Sequence, residues 1–289
     1  MRLKEAFKDV LDNDEVTKLT ESYDIIGDIL IVKIHPDLAS KKIIIGDILH
    51  KLYPRVRVIA AVPLYSLIDE LYRTRDIEVI WGDTNLETTH RESGCSFMVN
   101  LEHVFFTPRL SYEHMRVAKK VAPGERIINT FAGVGCFSII IAKMQPQTRI
   151  YSIDHNPYAV MCMKKNVAMN NVEGKVIPIL GDAETELKKL AGAADRVLMP
   201  LPETAHSFLP IAIQALDLES AGLQGIIHYY AVTTGRRDGD LFSKPLGQVK
   251  DIVSSAFGNT LRIEVEEQRI VRSVGPLRYH VVLDLRVVK

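Results

Sequence analysis

An apolar strand that runs directly into a tight glycine turn and then a helix constrains this chain more than any other stretch. Arg126-Ile127-Ile128 leads into Asn129-Thr130-Phe131-Ala132-Gly133-Val134-Gly135-Cys136-Phe137-Ser138. Gly133 and Gly135 remove side chains where backbone must turn sharply or approach a ligand, and the helix that follows presents unpaired N–H groups at its positive end. The next strand, Arg149-Ile150-Tyr151-Ser152-Ile153, ends in Asp154, about 20 residues beyond the glycines, where an acid can bind ribose hydroxyls. The glycine pair alone reads equally as a plain strand-to-helix turn. Asp154, with a second acid at Asp182, points to a site for a nucleotide-like ligand.

Glycine spacing narrows that ligand. A dinucleotide fingerprint wants a third small residue that lets a pyrophosphate sit close to the helix, and Phe137 and Ser138 stand there instead. Asp182, in Ile179-Leu180-Gly181-Asp182-Ala183 after the third strand, can accept a hydrogen bond from an adenine amino group. Two strand-end acids beside a glycine turn form the pattern of S-adenosylmethionine sites. Asp182 also reads as the N-cap of a helix from Ala183 onward, a role compatible with binding.

From Ser111 the chain alternates strand and helix, with strands expected near 126–129, 149–153, 175–180, 195–199 and 225–231. That grammar predicts an α/β fold with a parallel, doubly wound sheet. After a helix near 241–257, residues 261–271 and 279–288 read as two further strands joined by Arg272-Ser273-Val274-Gly275-Pro276-Leu277. Such an antiparallel C-terminal hairpin closes the sheets of class I methyltransferases. Upstream, β-rich runs at 28–33, 56–59, 77–81 and 96–99 surround one helical segment. The expected division is an N-terminal helical segment at 1–23, a small α+β domain at 24–107 and the cofactor domain at 108–289.

Composition sets further bounds. The 289 residues are 47% hydrophobic, enough to build a proper core and to argue against disorder. Thirty-six basic residues balance 36 acidic ones, so contact with nucleic acid must use local patches rather than a global field. Lys51, Arg55, Arg57, Arg75, Arg236, Arg237 and Arg272 are candidates for phosphate contact. Three separated cysteines, Cys95, Cys136 and Cys162, suggest neither a metal site nor a disulfide framework. The N-terminus reads as an amphipathic helix and no uncharged apolar run approaches bilayer length. A cytoplasmic protein with no membrane partner and no obligate protein partner is expected.

Two segments could carry chemistry. In Phe105-Phe106-Thr107-Pro108-Arg109-Leu110-Ser111-Tyr112-Glu113-His114-Met115-Arg116, Pro108 discourages helix at Thr107, and Ser111 can cap a helix with Glu113 in its first turn. By themselves these residues say only that Glu113 complements a helix dipole and that Arg73, Arg109 and Arg116 are solvated charges. The other segment, Pro200-Leu201-Pro202, follows the fourth strand and so emerges at the carboxyl edge beside the cofactor. Its prolines remove amide donors and leave carbonyls for a planar substrate, although the stretch also reads as an ordinary connector with a Thr204 cap. His206 reads as a packed or exposed helix residue.

An ordered set of motifs resembles the archaeal and eukaryotic tRNA (guanine-N1) methyltransferases that modify guanine 37 beside the anticodon. Its members are Tyr72-Arg73, Trp81-Gly82 with Thr88-Thr89-His90-Arg91-Glu92-Ser93-Gly94, Phe106-Thr107-Pro108-Arg109-Leu110 with Glu113, Phe131-Ala132-Gly133-Val134-Gly135, Ile227-His228-Tyr229-Tyr230 and Arg269-Ile270-Val271-Arg272-Ser273. The resemblance runs from about residue 27 to the C-terminus. It implies S-adenosylmethionine held by Asn129, Phe131, Ala132, Gly133, Val134, Gly135, Asp154 and Asp182, and a tRNA anticodon arm as partner. It further implies Glu113 as general base, Arg73 as the arginine that orients substrate and stabilises the transition state, and Arg109 as support for the active-site loop. Phe105, Pro200, Leu201 and Pro202 become substrate contacts, and no metal is implied.

Guanine N1 carries a proton and is a poor nucleophile, so methylation there needs a placed carboxylate to accept that proton. A guanidinium near O6 stabilises the negative charge that develops as N1–H is lost. The target base must leave its stack, which is easiest in a single-stranded loop. This chain departs from the family at Pro200, where an asparagine is usual, and at Asn129, where an aspartate is usual. Full-length relatives also place a tRNA-inspecting domain ahead of the region matching 24–107; a single short helical segment stands there here, which predicts greater reliance on the anticodon arm. Other readings are wyosine-pathway chemistry (C-methylation of a tricyclic guanine derivative or aminocarboxypropyl transfer), a nucleotide-binding module without catalysis, and, more distantly, a nicotinamide enzyme.

Overall fold

In the N-terminal unit, Met1–Pro108, a short 3-10 turn at Leu3–Phe7 and helix α1 (Asn13–Lys18) precede the first strands. The expected single amphipathic helix is therefore broken in two, and Asp12 caps α1 in a reciprocal capping box with Glu15. Strands β1 (Tyr23–Ile26), β2 (Ile29–Ile34), β3 (Val58–Pro63) and β4 (Glu78–Gly82) form a four-stranded sheet in chain order, with α2 (Lys42–Leu52) crossing between β2 and β3. The β2–β3 pair is parallel and its flanking pairs are antiparallel. Phe7, Leu30, Val32, Ile34, Leu38, Ile45, Leu49 and Ile59 close one apolar core. Strands β5 (Glu87–Glu92) and β6 (Cys95–Asn100) make a separate hairpin, whose two turn residues, Ser93 and Gly94, both have positive φ, as a tight two-residue hairpin requires. The computed structural model describes residues 3–64, 74, 76–220 and 222–289.

Arg57 ties this unit together. Its guanidinium donates to Asp28 Oδ2 at 3.0 Å, Asp83 Oδ2 at 3.1 Å and the carbonyls of Asn85 and Glu87 at 2.9 Å each. A guanidinium with its donors committed in this way is a poor phosphate contact, so the expectation that Arg57 meets RNA is corrected. Arg75 and Arg73 lie outside the described residues.

The second unit, Arg109–Lys289, carries α3 (Ser111–Lys120), β7 (Arg126–Asn129), α4 (Cys136–Met144), β8 (Arg149–Asp154), α5 (Pro157–Met169), β9 (Val176–Leu180), α6 (Ala183–Lys189), β10 (Arg196–Met199), α7 (Ala205–Gln214), β11 (Gln224–Thr234), α8 (Ser243–Phe257), β12 (Arg262–Gly275) and β13 (Arg278–Val288). Seven strands form one sheet in the order β12-β13-β11-β10-β7-β8-β9. β11, β10, β7, β8 and β9 run parallel, and the β12–β13 hairpin attaches antiparallel to β11. The order reverses at β7, so the crevice for a ligand opens beyond the carboxyl ends of β7, β8 and β10.

The sheet treats its two faces differently. Val197, Met199, Ile227, Tyr229, Val281, Leu283, Leu285 and Val287 point to one side and pack with Leu209, Ile213, Val249 and Val253 of α7 and α8. Across the pleat, the neighbouring positions His228 and Asp284 sit directly opposite each other in the β11–β13 register and are fully buried. Period-two alternation thus separates a dry apolar core from a buried polar layer. Replacing Leu283, wholly buried in β13, the second strand of the sheet order, by alanine is expected to destabilise the protein by about 2–5 kcal/mol; Val265→Thr on exposed β12 should stay within about 0.5 kcal/mol. Urea unfolding checks both.

Candidate active site

The glycine turn is held from three sides. Ala132 N–H donates to the Ile153 carbonyl at 2.8 Å, Gly135 N–H to the Ala132 carbonyl at 2.9 Å, and the Asn166 amide to the Val134 carbonyl at 3.0 Å. Gly133 and Gly135 have φ of +55° and +95°, a region where a β-carbon is strained. At Gly135 a β-carbon would also meet Met163 Cγ at 2.9 Å, whereas the space above Gly133 is open. Phe131 is half-buried and meets Phe208 of α7 edge to face.

Asp154 closes the turn from β8. Its Oδ2 accepts Gly133 N–H at 2.7 Å and its Oδ1 accepts Asn156 N–H at 2.9 Å. Burial raises its carboxyl against the opposing pull of these two amides. A carboxylate seated on the turn's own N–H occupies the position a pyrophosphate would need and leaves lone pairs for hydroxyl donors. Asp182 is exposed at the end of β9 and caps α6 through Oδ1, which accepts Thr185 N–H at 3.0 Å; Oδ2 of the same carboxylate is not used by the cap. The open space over Gly133, the Asp154 carboxylate and the Asp182 carboxylate fit an adenosine with its ribose, and hence S-adenosylmethionine.

Asn129 is the last residue of β7. It is wholly buried and its amide donates to Ser138 Oγ, which also accepts the Ser152 hydroxyl. Its amide nitrogen thus braces the turn from beneath, while its Oδ1 has no hydrogen-bond partner among the described residues.

Glu113 sits on the first turn of α3 and turns inward. Its Oε1 accepts the Tyr230 hydroxyl at 2.7 Å and Arg116 Nη2 at 2.7 Å, while Oε2 accepts Arg116 Nε at 2.9 Å and lies 3.6 Å from Arg269 Nη1. Tyr230 in turn meets Phe137, two residues beyond Gly135, with ring centroids 6.1 Å apart. The carboxylate is therefore linked through Tyr230 to the helix that follows the glycine turn, shielded from water and held by donors on three elements. Burial, followed by the neighbouring Glu113 charge, pushes the Tyr230 phenol well above its ordinary range, so it stays a donor.

Arg116, expected at the surface, is 8% exposed. Glu113, Arg116 and Lys120 recur at i, i+3 and i+7 on one helix face, and that face meets the polar layer of the sheet. Arg116 Nη1 reaches Asp284 Oδ2 at 2.6 Å and Glu267 Oε2 at 3.1 Å. Lys120 Nζ lies 2.6 Å from Asp284 Oδ2. Burial by itself would raise Asp284, but hydrogen bonds from His228, Arg116 and Lys120 outweigh it and hold the carboxyl well below the usual carboxylate range. His228 Nδ1 is 2.6 Å from Asp284 Oδ1 and its Nε2 is 2.8 Å from Arg196 Nη1. Since arginine only donates, Nε2 accepts and the proton resides on Nδ1; burial lowers the imidazole pKa and keeps it neutral.

The proline segment offers few donors. Pro200 and Pro202 have no N–H, and Leu201 N–H is spent on the Met199 carbonyl at 2.9 Å. Leu201's own carbonyl accepts Ala205 N–H at 2.9 Å, leaving the Pro200 and Pro202 carbonyls for a ligand. Neither Ser111 nor Thr204 caps its helix through a side chain: Ser111 is the first residue of α3, and Thr204 makes no side-chain cap bond. Arg109 is exposed in the 3-10 turn before α3, and Phe105 is half-buried within the N-terminal unit. Arg116, Tyr230, His228 and Asp284 were missed as a group; the signal was Asp284, a charge inside the apolar run Val281-Val282-Leu283-Asp284-Leu285.

The TRM5/TYW2 methyltransferase domain matches residues 88–261, and a TYW2 N-terminal domain matches residues 3–85. The chain belongs to the TRM5/TYW2 methyltransferase family. It is 36% identical over 270 residues to the tRNA (guanine(37)-N(1))-methyltransferase Trm5b of Pyrococcus abyssi, covering 93% of this chain and 76% of that one. The crystal structure of that relative superimposes with a TM-score of 0.84 at 32% identity, over 98% of this chain and 81% of the other. The tRNA 4-demethylwyosine(37)-methyltransferase Taw21 of Saccharolobus solfataricus is 33% identical over 285 residues, 98% of this chain and 99% of that one. A Methanocaldococcus jannaschii Trm5 structure in complex with adenosine matches at TM-score 0.78 and 31% identity, over 98% of this chain and 77% of the other. Sequence order and strand order in this TRM5/TYW2 member thus agree with the fold expected from its motifs.

Because His228 and Asp284 both have lowered pKa values, each stabilises the fold at pH above its unfolded-state value and ceases to do so as pH falls through its folded-state value. Thermal melts should show stability declining below about pH 6.5 as unfolded His228 gains a proton, then more steeply below about pH 4. His228→Gln is expected to remove the upper part of that decline and leave the lower one.

Proposed function

We propose that this chain is an S-adenosylmethionine-dependent tRNA methyltransferase acting on the purine at position 37, with N1 of guanine as the methyl acceptor. The observation that carries the reading is Glu113, a buried carboxylate with Tyr230, Arg116 and Arg269 arranged around it, linked through Tyr230 to the helix after the glycine turn. When bound, the cofactor supplies an electrophilic methyl group. Phe131, Ala132, Gly133, Val134 and Gly135 shape its pocket, and Asp154 and Asp182 offer acceptors to its hydroxyl and amino groups. Glu113 takes the N1 proton onto an Oε as the N1 electron pair becomes the nucleophile. Arg73 is proposed to face the developing charge on O6 and Arg109 to support the loop before α3. The Pro200 and Pro202 carbonyls are the proposed acceptors for the target base, and Phe105 is a proposed substrate contact on the resemblance alone. The anticodon arm of tRNA is the partner, reached through local basic residues that include exposed Lys51, Arg55, Arg236 and Arg237. A cytoplasmic setting accords with three buried cysteines that form no disulfide, and no helix among the described residues is long and apolar enough to cross a membrane.

A second reading, methylation of a carbon of 4-demethylwyosine at the same position, is favoured by two observations. The relative so named is coextensive with this chain, and the Pro200-Leu201-Pro202 segment presents acceptors where the family usually places an asparagine amide. A carbon acceptor also loses a proton, after the methyl arrives, so Glu113 serves either reaction. Nucleoside mass spectrometry separates them. Incubation with an unmodified tRNA transcript is expected to yield 1-methylguanosine; product only from tRNA carrying 4-demethylwyosine would replace the first reading with the second. Glu113→Gln is expected to lower the single-turnover rate by about 10²–10⁴ while binding of labelled S-adenosylmethionine is retained.

A further inference from the structure

One guanidinium in this protein serves two buried carboxylates. Arg116 binds Glu113 through Nε and Nη2, and Asp284 through Nη1 at 2.6 Å and Nη2 at 3.2 Å. Asp284 is wholly buried and lies on β13, three strands away in the sheet from β7, which leads into the glycine turn. Buried ion pairs of this kind are poor stabilisers, because desolvation offsets their attraction. A carboxylate set in an apolar strand to hold the partner of the proposed general base calls for a role beyond stability.

The surroundings of Glu113 give that role. From α3 it faces Arg116 and, behind it, Lys120; from β11, Tyr230 and neutral His228; from β12, Glu267 and Arg269; from β13, Asp284. Arg196 from β10 and Glu125 ahead of β7 pair with each other behind His228. Next to Glu113 the charges balance: three carboxylates (Glu113, Asp284, Glu267) against three cations (Arg116, Lys120, Arg269). Removing either of the other two carboxylates leaves an excess positive charge, which favours the ionised form of Glu113 and weakens it as a base.

We propose that Asp284, assisted by Glu267, is a positioning residue for methyl transfer: it holds Arg116 in place and shares its positive charge, so that Glu113 stays fixed where it can take the substrate proton. Asp284 touches neither substrate nor cofactor and acts only through Arg116. The inference rests on the proposed role of Glu113. His228 supports the arrangement by donating to Asp284 from Nδ1, which fixes the carboxylate's second oxygen.

The test uses the full chain labelled with [13Cδ]glutamate, in which the Glu113 resonance is assigned by its loss in Glu113→Gln. In Asp284→Asn and in Glu267→Gln, that resonance is expected to titrate at lower pH than in the unsubstituted protein, by roughly one pH unit for the first and less for the second. Glu267 is 40% exposed, so its variant reports the effect even if the buried substitution prevents folding. Single-turnover transfer should show its acid limb displaced the same way, with a plateau roughly three- to tenfold lower and KM for S-adenosylmethionine unchanged. An unmoved Glu113 titration in the folded variants would overturn the proposal. A displaced titration with a Glu113→Gln rate equal to that of the unsubstituted protein would support the charge sharing and overturn the general-base reading instead.

Discussion

The Arg116 guanidinium joins α3 to the sheet, and the candidate site is organised around it. It receives Glu113 from its own helix and Asp284 from β13, and Asp284 in turn anchors Lys120 and His228. Through these contacts the helix that carries the proposed base is registered against the two strands that end the sheet. The opposite face of the same strands is apolar and packs on α7 and α8. One face supplies the free energy of folding by burial; the other spends part of it on a polar layer whose members are all paired.

Much of the cofactor half of the site was legible because it depends on local backbone chemistry. Gly133 and Gly135 needed positive φ, Asp154 had to end its strand, and the strand-turn-helix order followed from short-range patterning. The antiparallel closing hairpin was equally visible from two long β-rich runs. What lay beyond the sequence was contact between residues distant in the chain. Arg116 read as a solvated charge because nothing within its own helix says that β13 will bring Asp284, 168 positions away, to its guanidinium. Arg57 read as a phosphate contact for the same reason: its partners come from Asp28, Asp83, Asn85 and Glu87. That Asn129 would donate to Ser138, nine positions on, was not legible either.

Chemistry at the carboxyl edge follows from the balance of donors and acceptors. Three amides of the glycine turn, those of Ala132, Gly133 and Gly135, are committed to Asp154 and to neighbouring carbonyls, and the proline segment has no uncommitted N–H to offer. A ligand there must bring its own donors, as ribose hydroxyls and exocyclic or ring N–H groups do. On the other side, Glu113 is the proposed acceptor of a proton. An adenosyl cofactor and a purine with a removable proton suit this surface better than a pyrophosphate or a second anion.

The shared guanidinium is tested most directly by a double-mutant cycle on stability with Glu113→Gln and Asp284→Asn. Either single change leaves Arg116 one buried carboxylate, whereas both together leave it with only half-exposed Glu267. The double variant should therefore lose more stability than the sum of the singles, with a coupling of about 0.5–3 kcal/mol. Additivity within about 0.3 kcal/mol would contradict the account.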